Sequence, residues 1–378
     1  MLLSDTPRNG SVGARPARVT INALAEALGL TKGTVSRALN GYPDISDSTR
    51  RRVERMAQKM GYAPLAHAQA IRSGRVRALG LVLQVGEPDA QRPFLADFLA
   101  GVTTAASAER WSLTVATGAT EAEALETMSR LIDERKADGF ILPRTRTDDA
   151  RIDLLRGAGV PFVLYGRTGD PEGCAWFDIL GEDAMAQAVE RLHALGHRRI
   201  GYVGGGAGFH YTRLRLEGFR TACARLGLAE DADLILSDAV TREAGARAGT
   251  TLLSRPEPPT AIVCATDLAA LGVCAAGAAL GLAIGRDLSV ISYDGVPEGA
   301  YAEPPLTTFE VDTREAGARL AALLIRRIRG EAPEDLRETA HARLLVRGSD
   351  GPPALTSTAL AARIAGARTQ SSDIKGRT

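Results

Sequence analysis

Positively charged side chains cluster at the beginning of the chain, where their chemistry suits contact with a polyanion. Residues 1–77 contain 13 lysines and arginines but only five aspartates and glutamates, whereas the complete 378-residue chain has a net charge of +1. The first segment therefore carries +8 and the remainder −7. A basic segment on an acidic body is typical of a protein that contacts nucleic acid at one end. On charge alone, a basic surface that only faces solvent is the alternative interpretation.

The other polar residues do not have the spacing of a catalytic, cofactor or metal site. The glycine run at 204–208 does not continue as G-x-G-x-x-G, because its sixth position is Phe209. The sequence contains neither G-x-x-x-x-G-K-[ST] nor G-x-S-x-G, and its histidines lack the H-E-x-x-H spacing. The four cysteines form no C-x-x-C pair. We therefore expect no enzyme activity, cofactor, metal site or disulfide.

The elements that must position the basic residues are two short helices predicted within residues 19–41. Thr20 can cap the first helix and Thr31 the second. Gly29 between them can adopt the positive φ that a tight turn needs. Apolar residues fall on one side of each helix, and Ala25 is small enough for a close crossing. This pattern predicts a helix-turn-helix, which presents the start of its second helix to the DNA major groove.

This head resembles the DNA-binding domain of the lactose-repressor (LacI/GalR) family. The matching strings are T-V-S-R-A-L-N-G, I-S-D-S-T-R-R-R-V and M-G-Y-A-P. The resemblance places Lys32, Gly33 and Arg37 where family members contact base edges, and an arginine can form two hydrogen bonds with guanine. Gly33 has no side chain, so one usual reading position is silent here. Phosphate contacts, which position a protein without reading sequence, are implied for Thr20, Thr31, Thr34, Ser36 and Asn40.

The sequence predicts a third helix at residues 46–59, and residues 64–73 match the hinge helix of the family. The arginines at 50–52 either face solvent or contact phosphates. In the family, two hinge helices, one from each subunit, lie in the minor groove, where an apolar wedge kinks the DNA. Ile71 occupies the wedge position. Leu65 stands where the family usually has asparagine, so we expect that polar contact to be lost.

From residue 76 onward, short aliphatic runs alternate with amphipathic stretches. Alternating strands and helices imply parallel sheets covered on both faces, and about 270 residues favour two sheets over one. We predict a two-lobed α/β body, with a ligand cleft at the carboxyl ends of its strands. The predicted strands are 78–85, 112–117, 139–143, 161–166, 198–205, 260–266 and 288–295.

Further strings in the body, at 195–205, 265–272 and 289–295, extend the resemblance over about residues 19–348. In this family the body is similar to periplasmic sugar-binding proteins. Carboxylate and guanidinium groups bind sugar hydroxyls, while apolar rings pack against sugar faces. The motifs imply polar effector contacts by Arg215, Asp267 and Asp294, and we add ring contacts by Phe94 and Trp176. The alternatives are a helix-capping role for Asp267 and a core position for Trp176.

Two departures from the family pattern affect the effector. Leu180 stands where an aspartate is frequent, and Asp178, two residues earlier and therefore on the same face of an extended segment, could take its place. Val240 stands where an aromatic ring is common. The segments at 163–167 and 176–179 look most like a branch of the family that responds to α-glucosides.

These observations predict a cytoplasmic repressor that binds pseudo-palindromic operator DNA as a homodimer or larger assembly, under allosteric control by a sugar. Neither a secretory signal nor a membrane segment is evident. The alternatives are a solute-binding protein, which does not explain the basic head, and an architectural DNA binder without an effector, which does not explain the polar cleft residues. The expected domains are a disordered tail (1–18), the helix-turn-helix (19–63), the hinge helix and linker (64–75), the effector-binding and dimerisation domain (76–348) and a flexible tail (349–378) with a short helix at 355–366.

Overall fold

The structure is a computed structural model that describes residues 19–62, 74–85, 95–229 and 231–375, with side chains to residue 367. It contains two compact units, a head that ends at Val76 and a body that begins at Arg77. The predicted disordered tail, the hinge helix with Ile71, and Phe94 lie outside the described residues.

In the residues of the head that the structure describes, three helices surround a small apolar core. They are α1 (Ile21–Leu28), α2 (Lys32–Leu39) and α3 (Asp47–Met60). The hydroxyl of Thr20 accepts a hydrogen bond from the Ala23 N–H at 3.2 Å, and that of Thr31 accepts one from the Thr34 N–H at 3.1 Å. Gly29 ends α1 with φ +62°, which a residue with a side chain rarely adopts. The buried core side chains are Leu24, Ala25, Leu28, Val35, Ala38, Val53 and Ala57.

The first lobe of the body is a parallel sheet covered by helices on both faces. Its helices are α4 (Leu95–Ala108), α5 (Glu121–Asp133), α6 (Ala150–Gly157) and α12 (Thr313–Ile328). Its strands are β1 (Ala78–Gln84), β2 (Ser112–Gly118), β3 (Gly139–Leu142), β4 (Phe162–Tyr165), β5 (Ala175–Ile179) and β11 (Arg337–Ala340). Within the described residues their order is β11-β5-β4-β3-β1-β2.

The second lobe repeats this architecture. Its helices are α7 (Gly181–Ala194), α8 (His210–Arg225), α9 (Arg242–Leu253), α10 (Asp267–Ala279), α11 (Pro297–Ala300) and α13 (Ser357–Lys375). Its strands are β6 (Ile200–Val203), β7 (Ile235–Leu236), β8 (Ala261–Cys264), β9 (Ser289–Asp294), β10 (Thr307–Glu310) and β12 (Arg343–Leu345). Their order is β12-β10-β9-β8-β6-β7, and β12 runs antiparallel to β10. The prediction of two parallel-sheet lobes is confirmed, apart from this edge strand.

Within the described part of the body, the chain crosses between the lobes three times. The crossings follow β5, β10 and β11, and lead into α7, α12 and β12. The central strands are buried along their whole length, as in β9, because helices cover both faces of each sheet. Since the strands are parallel, their carboxyl ends lie on one edge of each lobe, and these two edges face each other.

The C-terminal segment contains a helix where we predicted one, α13, but this helix is docked and does not belong to the flexible tail that we expected from residue 349. Leu360 and Ile364, on one face of α13, are buried in the core of the second lobe. Arg363 forms an ion pair with Asp287 at 3.3 Å. Two apolar residues spaced by four form a stripe too short to stand out in a polar sequence, yet it is sufficient to dock this helix.

Candidate DNA-binding face and effector cavity

The second helix of the head exposes the residues that we expected to lie at base edges. Lys32, Gly33 and Arg37 are exposed, whereas Val35 and Ala38 are buried against the other helices. One side of α2 therefore packs against the rest of the head, and the other side is exposed to solvent. An exposed α-helix with basic residues on its free side has the dimensions and the charge to enter the major groove.

Arg37 is held by residues of the following loop. Its guanidinium group forms an ion pair with Asp44 and lies 5.4 Å from the centroid of the Tyr42 ring. About half of each side chain of the ion pair is exposed, so the pair contributes little to stability. A guanine that binds Arg37 must compete with Asp44, a residue that sequence reasoning did not single out.

The residues expected to contact phosphates surround this face. Thr20 and Thr31 are exposed helix caps, and the hydroxyls of Thr31 and Thr34 are 2.9 Å apart. The Asn40 amide donates to the carbonyl of Ser36 in the last turn of α2. These groups are well placed at the helix ends, although each also has a partner within the head.

Two of the three arginines at 50–52 have structural roles that the sequence did not reveal. Arg52 donates a hydrogen bond to the Leu28 carbonyl at 2.8 Å and so provides a partner for a carbonyl that the end of α1 leaves free. Arg50 donates to the Tyr42 carbonyl at 3.1 Å and lies 3.4 Å from Asp47. The bond of Arg52 holds the turn before α2, and the bond of Arg50 to Tyr42 holds the loop after it. Both therefore help to fix the orientation of α2.

A cavity of about 390 Å³ lies between the two lobes of the body, at the carboxyl ends of their strands. This is the position expected for a ligand site in parallel α/β folds. The aromatic side chains that line it are Phe98, Tyr165, Phe209, Tyr211 and Tyr293, and the charged ones are Glu121, Arg144, Arg151, Arg167, Asp178, Glu182, Arg215 and Asp294.

Arg215, predicted as a site residue, lies at the wall that the second lobe contributes. Its guanidinium group is 3.8 Å from the ring centroid of Tyr293 and 4.7 Å from that of Tyr211. Its Nη1 donates a hydrogen bond to the Ala265 carbonyl at 2.6 Å, and its Nε has no hydrogen-bond partner among the described residues. Gly181 permits this placement, because a Cβ there would lie 2.9 Å from Nε. A buried donor without a partner favours binding of an oxygen-rich ligand.

Asp178 lies at the same cavity, on the first lobe. Its carboxylate accepts a hydrogen bond from Nε of Arg167 at 2.6 Å. Burial raises the pKa of Asp178, and the neighbouring Arg167 opposes that shift only in part. Arg167 also binds Glu182 of the second lobe, so one guanidinium group joins carboxylates of both lobes.

Asp294 is the last residue of β9 and Asp267 the first residue of α10, shortly after β8, but only Asp294 lines the cavity. Asp294 has φ +131° and Gly295 follows at +82°, a turn that departs from the strand direction. The carboxylate of Asp267 is fully buried and accepts hydrogen bonds from Ser292 and Thr308 and from the N–H groups of Gly295 and Val296, at 2.5–2.8 Å. Burial raises the pKa of Asp267, despite these bonds. Contrary to our expectation, Asp267 therefore supports the turn that carries Asp294 and does not face the cavity.

Trp176 also differs from the prediction, because it does not line the cavity. It precedes Asp178 by two residues on β5, which places it about 7 Å further from the carboxyl end of the strand. Its ring packs in the first lobe, with the Arg337 guanidinium 4.2 Å from its centroid. The rings at the cavity are instead Tyr165, stacked on Phe98 at 5.7 Å, and those of the second lobe. The position of Tyr165 at the carboxyl end of a predicted strand was the sequence signal that could have identified it as a cavity residue.

Within the described residues, no group of three or more histidine, cysteine or acidic side chains is arranged to hold a metal ion. The four cysteines are free. Of the helices that the structure describes, none combines the length and the apolar character needed to cross a membrane.

Comparison with known proteins identifies both units. Residues 20–64 match the family model of bacterial regulatory proteins of the lacI family, and residues 189–349 match that of the periplasmic binding protein-like domain. The chain is 36% identical to the HTH-type transcriptional regulator AglR of Rhizobium meliloti, over 88% of this chain and 95% of that protein. It is 32% identical to the HTH-type transcriptional regulator RafR of Escherichia coli, over 85% of this chain and 95% of that protein.

Solved structures agree with these matches. The transcriptional regulator CelR in complex with cellobiose is 31% identical, with a TM-score of 0.68 over 88% of this chain and 100% of that one. The lac repressor dimer bound to operator and the anti-inducer ONPF has the same fold, with a TM-score of 0.73 over 88% of this chain and 99% of that one, at 24% identity. The chain therefore belongs to the lacI family of bacterial regulatory proteins and is a helix-turn-helix transcriptional regulator.

Proposed function

We propose that this regulator is a repressor whose affinity for operator DNA is controlled by an uncharged sugar bound in the cavity of the body, without a catalytic step. The observation that carries the proposal is the combination, in one cavity, of Arg215, Asp178 and Asp294 with several aromatic rings. Charged groups at sugar hydroxyls and rings at sugar faces are the two contacts that a carbohydrate site needs.

The charges that line the cavity balance, which favours an uncharged ligand. Four arginines and four carboxylates are among its lining residues. Arg167 is already paired with Asp178 and Glu182, and Arg151 is paired with Asp149 at 2.7 Å. A phosphorylated sugar would need positive charge in excess, because an anion in a closed cavity loses its hydration.

On the DNA side, we propose that Lys32, Gly33 and Arg37 lie against base edges, with phosphate contacts by Thr20, Thr31, Thr34, Ser36 and Asn40. Support comes from the exposed face of α2 and from the positive charge of the head. Ile71 remains the predicted minor-groove wedge. We propose a homodimer, because two heads related by a two-fold axis match the two half-sites of a pseudo-palindromic operator.

The control step follows from this arrangement. A ligand that binds the two lobes better in one relative orientation shifts their equilibrium, and operator affinity changes if that orientation alters the spacing of the heads. The relative CelR has been solved with the disaccharide cellobiose. For this chain we propose a glucoside, and an α-glucoside in particular because of the resemblance at 163–167 and 176–179.

The experiment combines a thermal-shift screen with an operator-binding assay. Glucose, maltose, sucrose, trehalose, cellobiose and glucose 6-phosphate are tested on the full chain, with an operator selected by the protein from random duplex DNA. A ligand at about 100 times its Kd stabilises the protein by about 2.7 kcal/mol, and the same ligand should change operator affinity. The proposal fails if no neutral sugar shifts either measurement, or if glucose 6-phosphate alone does.

A further inference from the structure

Two loops from opposite lobes pair with each other beside the cavity. The loop after β3 and the loop after β6 form an antiparallel bridge between Arg146 and Phe209. The N–H of Thr147 donates to the carbonyl of Gly208 at 3.1 Å, and the N–H of His210 donates to the carbonyl of Thr145 at 3.0 Å. We call residues 145–147 and 208–210 the clasp.

The half of the clasp in the first lobe is held in place by its own lobe. The Thr168 hydroxyl donates to the Arg146 carbonyl at 3.0 Å, and the Gly169 N–H donates to the Thr147 carbonyl at 3.1 Å. The Arg146 N–H donates to the buried carboxylate of Asp149, also at 3.0 Å. These three bonds fix the loop in an extended form that does not depend on the other lobe.

The half in the second lobe is fixed in the same way. The Ala207 N–H donates to the Asp238 carboxylate at 2.7 Å, and the Thr212 hydroxyl donates to the Gly206 carbonyl at 3.0 Å. Because both halves are ordered before they meet, their pairing loses little conformational entropy.

Side chains add to the backbone bridge. The Phe209 ring of the second lobe lies 4.2 Å from the Arg144 guanidinium and 5.1 Å from that of Arg146, both from the first lobe. Such cation–π contacts are attractive, and more so where water is excluded. Arg146 is also 3.5 Å from Glu121 of its own lobe, which orients its guanidinium group.

We propose that the clasp latches the two lobes of the body shut around the cavity, and that the backbone donors of Thr147 and His210 limit how fast a bound ligand escapes. Neither residue lines the cavity, so both are positioning residues that act through closure and not through contact with the ligand. The identity of the ligand rests on the proposed function, whereas the closure itself does not.

Proline substitutions can remove each donor separately. Thr147→Pro deletes the N–H that binds Gly208, and the extended Arg146 before it has a conformation that proline tolerates. His210→Pro deletes the N–H that binds Thr145, at the first position of α8, where proline is favoured in helices. Thr147→Ala and His210→Ala keep the N–H and are the matched controls.

The first measurement is amide hydrogen exchange by mass spectrometry on the full chain without ligand. Thr147→Pro should accelerate exchange of the amide of residue 210 in the other lobe, and His210→Pro should accelerate exchange of the amide of residue 147. Each increase should be about five-fold relative to the alanine control, which is the effect of losing one hydrogen bond. Unchanged exchange across the cleft in both proline variants would overturn the proposal.

The second measurement is the dissociation rate of maltose or cellobiose, whichever shifts the melting temperature, followed by stopped flow. Each proline variant should release the sugar about five-fold faster than its alanine control. The double proline variant should add little, because both bonds belong to one bridge. Equal release rates in the proline and alanine variants would show that the clasp does not latch the lobes. If neither sugar binds, the proposed function fails for those ligands, while hydrogen exchange still decides whether the clasp closes the cavity.

Discussion

The head and the body place their polar residues in opposite ways. In the head, the candidate DNA-contacting residues other than Ile71 lie within 21 consecutive positions, and most are exposed on two short helices. In the body, the residues at the cavity come from segments between 82 and 313, and nearly all are buried or half-buried. Exposed charges cost little free energy and bind a large charged partner, whereas buried ones must be satisfied by the fold before they can bind a small ligand. Substitutions should therefore impair binding alone in the head, but folding and binding together in parts of the body.

The largest effect is expected for Asp267→Ala. It leaves four buried donors without their acceptor, which should lower the free energy of unfolding of the body by about 3 kcal/mol. Both tryptophans of the chain, Trp111 and Trp176, lie in the body, so denaturant unfolding followed by tryptophan fluorescence reports this unit. A loss as small as that of an exposed control, Asp97→Ala, would contradict the supporting role of Asp267.

Asp294→Ala should impair the sugar response and leave operator affinity unchanged. A charged hydrogen bond to a ligand is worth about 1.5–3 kcal/mol, so sugar affinity should fall by a factor of about 10 to 150. Titration calorimetry with the sugar and fluorescence anisotropy with the operator separate the two effects. A normal sugar affinity would remove Asp294 from the site.

Arg37→Ala should have the converse effect in the head. Loss of a bidentate contact to guanine costs about 1–3 kcal/mol of discrimination between operator and unrelated DNA. The ratio of the two affinities, measured by anisotropy at fixed salt, should fall while sugar binding is retained. Arg51→Ala is a control on the same unit, and a similar loss of discrimination there would indicate a general charge effect.

Lowering the pH should destabilise the body and have less effect on the head. Burial, together with Arg213 and Arg167, lowers the pKa of His210 from 6.5 to about 4. The unfolded chain therefore takes up a proton below pH 6.5 that the folded body takes up only near pH 4, so stability falls as the pH drops through that interval. We expect a loss of about 1 kcal/mol between pH 7 and pH 5, measured by tryptophan fluorescence, and a smaller loss in His210→Gln.

The smallest effect is expected for Asp44→Ala. It releases Arg37 from an exposed ion pair and removes a negative charge near the DNA, so operator affinity should rise by about two-fold, the effect of about 0.5 kcal/mol. Anisotropy against the same operator measures this change. Weaker binding would mean that Asp44 orients Arg37 productively.

The sequence alone determined the features that depend on neighbouring residues. The helices of the head begin after Thr20 and Thr31 because a hydroxyl there satisfies the first free N–H groups, and α1 ends at Gly29 because glycine accepts a positive φ. All seven predicted strands of the body exist, because continuous aliphatic runs between turns favour buried parallel strands.

Only the tertiary structure decided which of these elements meet and which way their side chains face. Asp267 and Asp294 look alike in the sequence, since each lies at the end of an aliphatic strand, yet the first is enclosed by hydrogen-bond donors and the second lines the cavity. The contact of Arg167 with carboxylates of both lobes depends on the crossing that follows β5, and the docking of α13 joins residues distant along the chain. Such contacts depend on how the crossings bring the lobes together, which local propensity and periodicity do not encode.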